Sequence, residues 1–115
     1  MKTVTLRFAK EKVLGRETFF STLALLKSAV NNVTSQQGLS VDEMSKRLKI
    51  LDVLESHSDM DVEEGSFSDD LLKKEKEIQL EDADHDKLKQ LFGEVKWMVL
   101  AKFIVELDKE LKEAK

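Results

Sequence analysis

The chain has 115 residues, 41% hydrophobic and 37% charged, with a net charge of −4. That length suits one domain, and that balance suits a folded chain with a heavily charged surface rather than a disordered one. The lack of cysteine excludes disulfides, zinc–thiolate centres and cysteine nucleophiles, while the lack of proline leaves long helices open and argues against a loop-rich β-sandwich.

No apolar run approaches the length of a membrane span, and the first eight residues carry neither the apolar core nor the cleavage pattern of a signal peptide. The expected setting is therefore the cytoplasm, without membrane contact. The charge is unevenly placed. Residues 59–86 hold twelve Asp/Glu against three Lys/Arg, whereas residues 1–58 hold nine Lys/Arg against six Asp/Glu, and residues 87–115 seven against five. Such an acidic middle disfavours nucleic-acid binding over the whole surface but leaves room for a local basic patch.

Val4, Leu6 and Phe8 alternate with Thr3, Thr5 and Arg7, which predicts a half-buried strand over residues 3–8. Gly15 interrupts the pattern. Phe20, Leu23, Leu26 and Val30 then fall at helical spacing, with Phe19 and Leu25 widening the stripe, so a helix is expected over residues 17–30. Asn31 and Asn32 can end it.

Ser40-Val41-Asp42-Glu43 is a capping box, in which the Ser40 hydroxyl accepts from the Glu43 backbone N–H and the Glu43 carboxylate reaches back. Val41, Met44, Leu48, Leu51 and Leu54 follow as an apolar stripe broadened by Ile50 and Val53, and the helix should run to about Glu55. Residues 58–68 are acidic and poor in apolar groups, and read as a mobile connector within the single domain 1–115. Residues 69–77 fit either a helical turn or an extended approach. Ile78 and Leu80 mark a second short strand. Leu88, Leu91, Phe92, Val95, Val99, Phe103, Leu107 and Leu111 then predict one long final helix, with Asp82, Asp84 and Asp86 at its start and Lys109, Lys112 and Lys115 at its end, as the helix dipole favours.

The fold expected is α+β, mainly α: three helices, a short N-terminal strand, and a second strand near 78–80 that can pair with it. An isolated pair is marginal in water and must lie on the helices.

Asp82-Ala83-Asp84-His85-Asp86 resembles a calcium loop, but the sixth and twelfth positions hold Lys87 and Gly93 where a glycine and a bidentate glutamate are required. No metal or other cofactor is expected. His57 and His85 belong to no metal or catalytic pattern and read as surface histidines. With no nucleophile elbow and no glycine-rich phosphate loop, the chain reads as a non-enzyme. Lys46, Arg47 and Lys49 are the candidate nucleic-acid contacts, but no second recognition helix follows them. Trp97, Leu100 and Ile104 are the candidate partner-binding residues. At spacings of three and four they form a second ridge on the final helix, beyond the stripe needed for the core. Met98 shares their apolar flank, and Trp97 and Met98 read either as core or as partner surface.

The stretch GLSVDEMSKRLKILDVLE (38–55) resembles a segment of small phage- and prophage-encoded proteins of unassigned function. So does IQLEDADHDKLK (78–89), followed by Val95-Lys96-Trp97 and a helix holding Phe103-Ile104-Val105. The similarity spans about half the chain, and those proteins lack the long acidic insertion near residues 58–76. It implies a viral origin, a host-cytoplasm setting and a compact accessory role, and it transfers no active-site residue. The function expected is a non-enzymatic interaction or assembly factor that binds itself, as a homodimer, or another protein through its last helix. The alternative is a small DNA-binding regulator using Lys46, Arg47 and Lys49.

Overall fold

The N-terminal alternation runs further than its apolar residues suggest. In the computed structural model, which describes residues 1–33, 38–60 and 67–114, strand β1 spans Lys2–Val13. It turns through Leu14-Gly15, both with positive φ (53° and 79°), into β2, Arg16–Ser21. A two-residue loop with both φ positive is the hairpin turn whose twist matches its strands. A third strand, β3, Glu75–Leu80, pairs antiparallel with the other half of β1. The order is β2-β1-β3: β1 residues 8–13 pair with β2, and residues 2–7 with β3.

The expected pair of short strands is thus a three-stranded sheet, and the helix expected over 17–30 is a strand followed by a helix. The reason lies in Phe19 and Phe20. As neighbours on a strand they point to opposite faces. Phe20 packs on Phe103, with ring centroids 5.9 Å apart, while Phe19 stacks on Phe67 at 5.2 Å. Both faces of the hairpin are covered, which a helical reading sees only as a widened stripe. Helix α1 is Thr22–Val30, and the Ser21 hydroxyl caps it by accepting from the Ala24 N–H. The same hydroxyl donates to the Met60 carbonyl at 2.8 Å.

Helix α2, Val41–Glu55, begins where the capping box places it, with the Glu43 N–H donating to the Ser40 hydroxyl at 3.1 Å. The reciprocal contact is not made. The Glu43 carboxylate binds Arg47 and Lys87 instead. Short 3-10 turns follow at Ser58–Met60 and Asp69–Lys73. The part of the expected acidic connector at 61–66 lies outside the described residues. On either side of it, Met60 is buried and Phe67 packs against Phe8 and Phe19.

The long final helix is two helices, α3 (Asp82–Glu94) and α4 (Lys102–Glu113). Among the described residues the fold therefore has four α-helices, not three. Unbroken from Asp82 to Leu111, the helix would be about 45 Å long at 1.5 Å per residue. That exceeds the longest dimension of the molecule, 40 Å. Folding back lets Leu88, Leu91 and Phe92 of α3 and Phe103, Leu107 and Leu111 of α4 enter one core. The β-branched and aromatic residues Val95, Trp97 and Val99 oppose a helix weakly, so the segment yields there. Buried side chains such as Leu6, Leu26, Leu54 and Phe92 each contribute about 1.5–3 kcal/mol against exposure.

Helix α4 runs antiparallel to β1. Its first turn lies at Glu11 and Phe20, its middle at Arg7, and its last turns beside Thr3, Val4 and Thr5. Residues 95–101 consequently sit at the same end of the molecule as the β1–β2 turn.

Candidate interaction surface

The three residues expected to form a helical ridge are separated by the break. Trp97 lies in the 95–101 connection, half-buried, its ring 5.1 Å from that of Phe92. Leu100 is 91% exposed, and Ile104 is buried in α4. No ridge at helical spacing joins them. His85, read as a surface residue, is buried on α3, with neither ring nitrogen hydrogen-bonded. Burial holds its imidazole below the ordinary histidine range, helped by the Lys89 and Lys2 charges and opposed by Asp86.

The candidate nucleic-acid cations are compensated. Lys46 pairs with Asp42 at 3.1 Å, and Lys49 with Glu81 and Asp84 at 2.8 and 3.4 Å. Arg47 is mostly buried. It binds Glu43 at 3.1 Å and donates to the carbonyls of Val30 and Asn32 at 3.1 and 2.6 Å. It clamps α2 to the end of α1 rather than facing solvent. The Lys87 ammonium, bonded to Glu43, holds that carboxyl below its ordinary range. The acidic run beside this cluster is likewise engaged: Asp82 with the N-terminal ammonium, Asp84 with Lys49, and Asp86 with Lys89.

The exposed apolar groups gather elsewhere. Ala101, at the start of α4, has no side chain that can cap it. Glu11 of β1 supplies the cap, accepting from the N–H groups of Lys102 and Phe103 at 3.0 and 2.8 Å. A carboxylate there also meets the positive end of the helix dipole. The 95–101 connection is thus pinned by Trp97 on Phe92 and by Glu11 at its far end. Between the pins Met98 and Leu100 project outward, 96% and 91% exposed. Leu14, at the hairpin tip of the same end, is 95% exposed.

The charge at this end is positive. Lys12, Arg16, Lys96 and Lys102 are exposed and make no ion pair among the described residues. Of the nearby carboxylates, Glu11 is held in the cap and Glu17 pairs with Lys10, while Glu94 accepts from the Gln90 amide and keeps its charge. Leu14, Met98 and Leu100, with Arg16, Lys96 and Lys102, make up a basic, apolar end, while Lys12 lies on the other face of the hairpin from Glu11.

A second apolar surface lies on α2. Val41, Met44 and Leu48, at i, i+3 and i+7, are exposed, while Ile50 and Leu54 on the inner face are buried. The outer residues line a shallow hollow of about 520 Å³ with Ser45, Lys46, Lys49 and Asp52. The two lysines are neutralised, and Asp52 and Glu55 have no ion pair among the described residues, so this face is acidic. The sequence signal for it was the width of the stripe: seven apolar positions exceed what one packing contact covers.

No described helix is long and apolar enough to cross a membrane. In comparisons with protein-family models, curated proteins and solved structures, the chain finds no match.

Proposed function

We propose that this chain is a non-catalytic interaction or assembly factor that docks another protein molecule through its basic, apolar end. The observation that carries the reading is that Leu14 at the hairpin tip and Met98 and Leu100 in the connection at the same end are each more than nine-tenths exposed, alongside Arg16, Lys96 and Lys102, which make no ion pair among the described residues. Monomers rarely leave several such groups in water at one end of the molecule without use. Burying each would contribute about 1.5–3 kcal/mol before the costs of association. Those costs are lowered because Trp97 and Glu11 already hold the segment in place. The cations select a partner surface rich in carboxylates.

Duplex DNA is the poorer fit, because the cations expected to contact it are paired and apolar knobs have no role along a phosphate backbone. The resemblance to phage and prophage proteins supports an accessory role in the cytoplasm of a host cell. The test is site-specific photocrosslinking in cells that express the chain, with a benzophenone amino acid at position 98 and a control at the exposed Lys109. A discrete adduct at 98 is expected. No adduct at 98 beyond the control would overturn the reading.

A further inference from the structure

We infer that the partner is a second copy of the chain, bound head to tail, with the basic, apolar end of one copy seated on the acidic, apolar α2 face of the next. This rests on the reading above and names its partner. A two-fold contact of the end with itself would set Arg16, Lys96 and Lys102 against the same three cations. Like charges brought together in this way oppose a symmetric dimer. The α2 face offers the complement on both counts. Val41, Met44 and Leu48 are exposed there beside a shallow hollow, and Asp52 and Glu55 are free to meet cations. Apart from Val99, which lies in the same connection as Met98 and Leu100, the other large exposed apolar residues, Met1, Val33, Leu72 and Val105, lie on four separate elements or loops and form no face of this kind.

The two surfaces share no element. One is built from the β1–β2 turn and the α3–α4 connection, the other from α2. Helix α2 is tied to α3 through Glu81, Asp84 and Lys87, in the half of α3 remote from the connection. One copy can therefore engage two neighbours at once. Contacts of this heterologous kind generate a ring if the rotation closes and a filament if it does not.

The experiment is sedimentation of three proteins and one mixture. The end variant is Met98→Gln/Leu100→Gln and the face variant is Met44→Gln/Leu48→Gln. Both replace exposed side chains without adding charge, and circular dichroism and thermal melts check that each still folds. The unaltered chain should grow beyond a dimer, or into a closed ring, as concentration rises through the micromolar range, and raised salt should oppose it. Each variant alone should associate about thirtyfold or more weakly. Mixed in equal amounts they should form a one-to-one heterodimer and stop, because each retains the surface that the other lacks. A strictly monomeric unaltered chain, a mixture that stays monomeric, or a dimer abolished by only one of the variants would overturn the inference. A monomeric chain that still crosslinks from position 98 to a different protein leaves the interaction reading standing, whereas loss of that adduct removes both.

Discussion

The carboxylate of Glu11, near the end of a β-strand, accepts the backbone N–H of Phe103 at 2.8 Å and so caps a helix that begins more than ninety residues later. This contact joins the hairpin to the connection that carries Met98 and Leu100. Glu11→Ala should cost about 1–2 kcal/mol in urea unfolding, the usual range for a lost cap. It should also speed proteolysis within 95–101. If the cap is lost without either effect, the connection is held by its other contacts alone.

Leu14 occupies the left-handed region, with φ at 53°, yet its side chain is 95% exposed. A leucine there costs about 1 kcal/mol that asparagine largely avoids. Leu14→Asn should therefore raise stability by about that amount while weakening self-association in the sedimentation assay. A variant that is both more stable and equally associated would remove Leu14 from the docking surface.

His85 makes stability depend on pH in a fixed direction. Its folded pKa lies below 6.5, mainly because the ring is buried, with Lys89 and Lys2 adding to that and Asp86 opposing it. The unfolded chain thus binds the proton first as pH falls. The contribution is fully present above about 6.5 and is lost as pH drops toward the folded value. His85→Gln should flatten the stability profile between about pH 7 and pH 5 relative to the unaltered chain. An unchanged slope would mean that carboxylates alone govern the acid limb.

Arg47 and Lys46 stand one residue apart, yet their replacement should differ greatly. Arg47→Ala removes bonds to Glu43 and to two backbone carbonyls at a largely buried site. It should cost about 2–3 kcal/mol, including the carbonyls left without a donor. Lys46→Ala breaks only an exposed pair and should cost less than about 0.5 kcal/mol. Equal effects, read from urea denaturation, would contradict the clamp.

Local signals were legible where one principle acted alone. The Val4, Leu6, Phe8 alternation, the Ser40 cap and the aspartates at the start of α3 each marked an element correctly. Tertiary context hid the others. Phe19 and Phe20 are both covered only because α4 packs on one side of the hairpin and Phe67 on the other. The apolar run through Val95, Trp97 and Val99 continues the helical period, and the weak helix preference of these residues is too small a local signal to announce that the chain must fold back. For the site, Leu100 was identifiable as surplus to the core. Met98 was legible on the same apolar flank, but Leu14 was not, because its exposure depends on a turn signalled only by Gly15.

The two halves of β1 also differ in when they can be satisfied. The half that pairs with β2 closes a two-residue turn, whereas Lys2 meets Leu80 only after roughly 80 residues of chain are in place. Loop-closure entropy and contact order make the first pairing early and the second late. On a ribosome, the hairpin that presents Leu14 can therefore form while β3 is still unsynthesised. Helix α2 also emerges before β3, whereas the 95–101 connection that completes the basic, apolar end emerges only after it. Copies made side by side on one messenger would then offer a finished α2 face to an older neighbour before their own docking end exists, which would make synthesis rate and local crowding controls on assembly.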